Sequence, residues 1–135
     1  MSVDPDLIRL FYELWEGSLA GREYLEAANP LPEALEKIPR SNAGDVQRAL
    51  WCINRIGHLV EHGSLPAEFV SSLVAKQGIR ALAKVEPLIH QSRVQREEPD
   101  YLEYVDKVLG LCRQAYPDYE PKYRVEDHRS FGLAP

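Results

Sequence analysis

The sequence lacks the features that would place it outside ordinary soluble proteins. It has only two cysteines, Cys52 and Cys112, 60 positions apart, so no disulfide framework is indicated. No apolar run approaches the ~20 residues that a membrane-spanning helix needs. The first residues, MSVDPDL, have neither the basic start nor the apolar run of a secretory signal. We therefore expect a cytoplasmic protein with reduced thiols and no membrane span.

Basic residues are also few. Lys and Arg total 16 against 21 Asp and Glu, which gives a formal net charge of -5. Nucleic-acid binding needs clustered positive charge, and the nearest approach to it, Arg93 and Arg96, is followed directly by Glu97 and Glu98. The chain has no Gly-rich phosphate loop, no G-x-S-x-G and no CxxC. We therefore predict no nucleic-acid partner and no cofactor.

What the chain does contain is helical periodicity of apolar residues, with no convincing strand alternation. At 135 residues it suits one domain with its own core. We predict an all-α fold, an antiparallel bundle of four to five helices over residues 1–116. Residues 117–135 form an irregular tail, rich in Pro and Tyr, that is either packed on the bundle or disordered.

Proline, glycine and capping residues set the expected boundaries of these helices. The expected elements are a helix from Pro5 to Trp15 capped by Asp4, a kink or break near Gly17 and Gly21, a continuation from Leu19 to Ala28, a short turn at Glu33–Ile38, a loop at Ser41–Gly44, a central helix within Asn42–Gly63 with Ser41 or Asn42 as its cap, a long helix from Pro66 to about Gln95 that is kinked at Pro87 or split at Gly78 or Pro87, and a last helix from the Pro99–Asp100 turn to about Ala115.

The central helix has two faces. Its apolar stripe consists of Val46, Ala49, Leu50, Ile53, Ile56, Gly57 and Val60. Gly57 costs helix propensity, so we expect it to let another helix approach closely. The opposite face carries Trp51, Arg55, His58 and His62. An aromatic residue there is either covered by the chain itself or presented to a partner, and the sequence leaves both readings open.

The same helix contains His58-Leu59-Val60-Glu61-His62, which fits the H-x-x-E-H zinc pattern. Residues four apart share a helix face, so His58 and His62 could bind one metal ion while Glu61 activates water. A catalytic site needs a third protein ligand, and no later carboxylate is placed for it by a motif. A metal-binding protein or a small metal-dependent hydrolase is therefore the alternative reading.

Three short segments resemble an uncharacterised bacterial family of small all-helical proteins, a domain of unknown function. They are Glu61-His62-Gly63-x-Leu65-Pro66, Pro87-Leu88-Ile89-His90-Gln91-Ser92-Arg93 and Pro99-x-Tyr101. The resemblance covers about Gly44 to Cys112 and implies a helical domain with no known activity. Family members often carry an N-terminal membrane helix, which we do not find in these 135 residues. The chain also has Ala81-Leu82-Ala83 where the family has an aromatic residue, and Asn54 where it has a carboxylate.

The sequence favours a non-enzymatic protein-protein interaction or scaffold domain of unknown pathway. It would bind through the Trp51, Arg55, His58 and His62 face, or through the tail at Tyr119 and Tyr123. The partner would be another protein or a second copy in a homodimer. An acidic inhibitor of a basic partner is a third possibility, weakly supported because the charge is mild. No catalytic residue is predicted for the favoured reading.

Overall fold

The all-α bundle is confirmed. The computed structural model describes residues 3–123, and these contain helices and no strand. The elements in chain order are α1 (Pro5–Gly17), α2 (Leu19–Ala27), a 3-10 turn (Leu35–Lys37), α3 (Arg40–Glu61), α4 (Ala67–Arg96) and α5 (Glu103–Ala115).

The break between α1 and α2 falls at Ser18, next to Gly17, and it buries polar groups. Asp4 caps α1 by accepting a hydrogen bond from the Asp6 backbone N–H at 2.9 Å. After the break, Arg22 lies with its guanidinium carbon 3.7 Å from the centre of the Trp15 ring. Its side chain donates to the Trp15 carbonyl at 3.0 Å and to the Ser18 hydroxyl at 2.7 Å. Ser18 and Arg22 thus form a buried, hydrogen-bonded corner between α1 and α2.

The prediction of a loop at Ser41–Gly44 is wrong, because α3 already begins at Arg40. The Pro39 carbonyl accepts hydrogen bonds from the backbone N–H groups of Asn42 and Ala43 at 2.8 and 2.9 Å. Pro39 therefore stands at the start of the helix, where its missing N–H costs nothing. Ser41 and Asn42 lie inside the first turn and do not cap it. The C-terminal end agrees with expectation, since Gly63 follows with a positive φ of 77°.

Helix α4 runs without interruption from Ala67 to Arg96, through both Gly78 and Pro87. Adjacent residues such as Leu88 and Ile89 are both buried. Because neighbours in a helix point about 100° apart, α4 is buried over a wide arc. Both α2 and α5 pack against α3 and against α4. Helices α3 and α4 therefore share α2 and α5 as neighbours, and α3 also packs against α1.

Helix α5 begins at Glu103, three residues later than the expected start near Asp100. The turn before it places Leu102 in the left-handed region at φ 53°. The Arg93 side chain holds this turn by donating to the carbonyls of Tyr101 and Leu102 at 2.7 and 3.0 Å. It also pairs with Asp106 at 2.7 Å. Arg93 thus ties the end of α4 to the turn before α5 through two backbone carbonyls, and the Leu102 carbonyl also accepts a hydrogen bond from the Val105 N–H at 3.1 Å.

The contact of α3 with α5 is close at Gly57, as the sequence predicts. A methyl group on Gly57 would lie 2.2 Å from the Tyr104 carbonyl oxygen. One turn earlier, the Asn54 side-chain oxygen accepts a hydrogen bond from the Tyr104 backbone N–H at 3.0 Å. Asn54 thereby satisfies one of the free donors at the N-terminal end of α5. Together the two residues of α3 fix where Tyr104 lies.

The tail follows α4 as far as the described residues extend. The Tyr123 hydroxyl donates to the Arg80 carbonyl at 2.6 Å, and the Arg80 side chain donates to the Tyr119 hydroxyl at 3.3 Å. Lys84 lies 4.2 Å from the centre of the Tyr123 ring. Tyr119 and Tyr123 thus contact α4, and residues 124–135 of the predicted tail lie outside the described range.

Candidate functional site

The outer face of α3 is open to solvent. Trp51 is 48% exposed, and Arg55, His58 and His62 are exposed. The edge of the Trp51 ring system meets Tyr101 at a centroid distance of 6.2 Å, so the indole is supported from one side. Neither α1 nor residues 117–123 bury this tryptophan. All four predicted residues of the face therefore lie on one accessible surface.

Tyr104 of α5 joins this face, which the sequence did not predict. Its ring lies edge-on to His58 at 5.0 Å, while the rings of His58 and His62 lie 4.2 Å apart. Gly57 and Asn54 hold the backbone of Tyr104 against α3. Residue spacing could place Gly57 at a helix crossing, but it could not identify which residue of another helix meets it.

The face borders a groove between α1, α3 and α5. The groove has a volume of about 620 Å³, and its lining residues are Leu14, Trp51, Cys52, Asn54, Arg55, His58, Leu59 and Tyr104. No carboxylate belongs to this lining. Arg55 makes no ion pair with any residue between 3 and 123. In a chain of net charge -5, the groove is thus an apolar and aromatic surface with a positive charge.

The three residues of the zinc pattern do not converge on a common point. The Glu61 carboxylate pairs with Lys107 of α5 at 3.1 Å. The only group of three potential ligands that lie within 4.8 Å of one another, among residues 3–123, is Glu86, His90 and Asp106. The zinc pattern therefore consists of two adjacent histidines, whose ring planes are tilted by 46°, and a carboxylate that is paired with a lysine.

The group of Glu86, His90 and Asp106 bridges α4 and α5, and the sequence analysis missed it. Glu86 and His90 are four residues apart on α4, a spacing that could have drawn attention. Both carboxylates have cationic partners: Arg113 lies 3.2 Å from Glu86, and Arg93 lies 2.7 Å from Asp106. Two arginines neutralise the charge that would attract a cation, so the arrangement is that of an inter-helix ion-pair network.

The two cysteines differ in their surroundings. Cys112 is fully buried, and its burial raises the pKa of the thiol from about 9.0 to about 11. It is therefore a protonated core residue at neutral pH. Cys52 is half-buried at the groove of the α3 face. Among the described residues, no basic side chain forms a hydrogen bond with either thiol.

The predicted tail residues, Tyr119 and Tyr123, are separate from the α3 face. Both are half-buried along α4, where Arg80 and Lys84 contact them. Burial raises the pKa of the Tyr123 hydroxyl, and Arg80 opposes this shift. The two parts of the predicted site are therefore two distinct places on the molecule.

Comparison with protein-family models, curated proteins and solved structures finds no match to this chain. None of the described helices combines the length and the apolar character needed to cross a membrane. The function must therefore be argued from the described surface itself.

Proposed function

We propose that the chain is a non-enzymatic protein-binding module whose groove along α3 takes an amphipathic helical segment of another protein. The observation that carries this proposal is Trp51, a large indole that is 48% exposed and lines a groove. Tryptophan is among the residues that contribute most binding energy when a partner buries them. A cytoplasmic setting, where the thiols stay reduced, fits this role.

Charge selects the kind of partner. The lining contains Arg55 and His58 and no carboxylate, so an acidic segment is attracted and a basic one is not. Leu14 and Leu59 provide apolar wall between helices, which suits side chains repeating every three or four residues. The partner we propose is therefore a helix that carries apolar anchors flanked by Asp or Glu.

Two other readings receive less support. The hydroxyl groups of Tyr119 and Tyr123 already form hydrogen bonds with Arg80, so they are less available to bind a partner. Metal binding at His58 and His62 would have to recruit Glu61 from its ion pair with Lys107 or use other ligands. Self-association remains an outcome of the test below, because a second copy could present the acidic segment.

The proposal is tested by selecting helical peptides from a random display library with the full chain as bait. We expect the enriched peptides to be acidic and amphipathic. Binding of the best synthetic peptide should weaken at least about tenfold in Trp51→Ala, since a central tryptophan costs on the order of 2 kcal/mol or more when truncated. Arg55→Glu should weaken binding of the same peptide even more, because the attraction between Arg55 and the acidic peptide is replaced by repulsion.

Tyr12→Ala is the matched control, because Tyr12 is an equally exposed aromatic residue, at 46%, that does not line the groove. It should leave the affinity unchanged. Light scattering of the unliganded chain separates a monomer from a homodimer. The proposal is wrong if the selected peptides bind Trp51→Ala as tightly as the unaltered chain, or if basic peptides are enriched.

A further inference from the structure

A second, smaller cavity shares Trp51 with the groove. It has a volume of about 160 Å³, is partly open to solvent, and is lined by residues of the 3-10 turn, α3, the end of α4 and the turn before α5. Its inner wall is apolar and buried, with Ile38, Val46, Leu50 and Leu102 contributing. An apolar cavity of ~150 Å³ holds a benzene ring, so this one has room for a small ring or a branched aliphatic group.

The rim of the cavity carries one charge of each sign. Glu36 and Arg96 both line it and both are exposed. Neither makes an ion pair with the other or with any residue of the described part of the chain. Both rim charges therefore lack an ionic partner among the described residues and can pair with charged groups of a ligand.

The wall next to Arg96 is held in a defined position. Arg96 stacks on the Tyr101 ring at 4.2 Å, and Leu102 follows with its backbone in the left-handed region. Left-handed backbone in a bulky residue is costly and persists only where the surroundings impose it. Arg93 imposes it here by binding the carbonyls of both residues. The cavity wall is therefore preorganised, which lowers the cost of binding.

We propose that this cavity binds a free α-amino acid with an apolar side chain. The side chain enters the apolar interior, the carboxylate pairs with Arg96, and the ammonium group pairs with Glu36. A guanidinium group matches the planar geometry of a carboxylate, and a carboxylate matches an ammonium donor. The zwitterion is favoured over a simple acid or amine because each of those would leave one rim charge without a partner. Ser92, buried in the wall, offers a further hydroxyl for orientation.

L-phenylalanine is the probe, and the two tryptophans supply an internal control. Trp51 lines the cavity, whereas Trp15 is buried against Arg22 elsewhere. In a nitrogen-15 NMR titration of the full chain, the indole N–H signal of Trp51 should shift and that of Trp15 should not. Phenylalaninamide lacks the carboxylate, and N-acetylphenylalanine lacks the ammonium group. Each should bind about tenfold more weakly, since a hydrogen bond to a charged group is lost.

Variants then assign each loss to one residue. Arg96→Gln should bind phenylalanine and its amide with similar affinity, and Glu36→Gln should bind phenylalanine and its N-acetyl form with similar affinity. Arg55→Gln, outside the cavity, should keep both preferences. Ala43→Leu, which fills the cavity, should abolish binding. If this variant fails to fold, the two rim variants still decide the question, because both positions are exposed.

Two results would overturn the proposal. One is a Trp51 signal that does not move with phenylalanine at ~10 mM, a concentration that reveals even weak sites. The other is equal binding of the three ligands, or preferences that persist unchanged in Arg96→Gln and Glu36→Gln. The test needs no protein partner, so its outcome is independent of the peptide selection on the α3 groove.

Discussion

Gly57→Ala is the substitution that tests how α3 and α5 are joined. The added methyl carbon would lie 2.2 Å from the Tyr104 carbonyl oxygen and 2.9 Å from the Tyr104 Cβ. The obstacle is mostly backbone, which cannot rotate away as a flexible side chain can. The two helices must therefore separate by more than 1 Å, roughly the overlap with a normal carbon–oxygen contact.

The expected loss follows from two opposing terms. Overpacking a tight contact costs about 1–3 kcal/mol, and a clash with backbone belongs at the upper end. Alanine gains back about 1 kcal/mol over glycine as a helix former. The free energy of unfolding should therefore fall by about 2 kcal/mol. In a domain of this size, that lowers the melting temperature by about 6–10 °C.

Thermal and urea unfolding followed by circular dichroism measure this loss. Gly44→Ala is the matched control, because Gly44 also lies in α3 and a methyl group there meets nothing within 4 Å. It should raise stability by up to about 1 kcal/mol through helix propensity alone. The reasoning is refuted if Gly57→Ala melts at or above the temperature of the unaltered chain.

Three further outcomes follow from the described contacts. Arg22→Met should lower stability by about 1–3 kcal/mol in urea unfolding, since the buried Ser18 hydroxyl loses its donor and the Trp15 carbonyl loses one of its two side-chain donors. Tyr123→Phe should cost about 1 kcal/mol and speed proteolysis of the tail. A thiol reagent should modify Cys52 in the native chain, and Cys112 only on unfolding. Because the folded pKa of Cys112 is raised to about 11, its contribution to stability is full below pH 9 and falls as pH rises towards 11.

Periodicity predicted the helices well wherever apolar stripes were long and clean. Helix α5 ends at Ala115 and α4 ends one residue from its expected end, because packing and stop signals agree there. Boundaries that depend on hydrogen-bond geometry were less predictable. Ser41 and Asn42 are good capping residues in general, yet the Pro39 carbonyl starts the helix before them. Nothing local in the sequence distinguishes these two starts.

The part of the site that lies on α3 could be predicted from the sequence, but the part that depends on the packing of α5 against α3 could not. The exposed α3 face could be read from residue spacing, because Trp51 and His58 fall opposite the apolar stripe. Tyr104 could not, since its place depends on where α5 crosses α3. The cavity lined by Glu36 and Arg96 was equally unpredictable, because those residues lie 60 positions apart in the sequence and line one cavity only in the folded chain.

The contact between Gly57 and Tyr104 connects the core to the proposed binding surface. Gly57 is buried on the inner side of α3, and its missing side chain allows the Tyr104 backbone to pack closely against it. The Tyr104 ring extends to the histidines on the outer side. Any change that moves α5 away must therefore also move the ring beside His58 and reshape the groove. Helix α5 also begins directly after Leu102, which lines the smaller cavity. Because α5 borders both places, the groove and the cavity depend on one helix position, and Asn54 and Arg93 are the side chains that hold it.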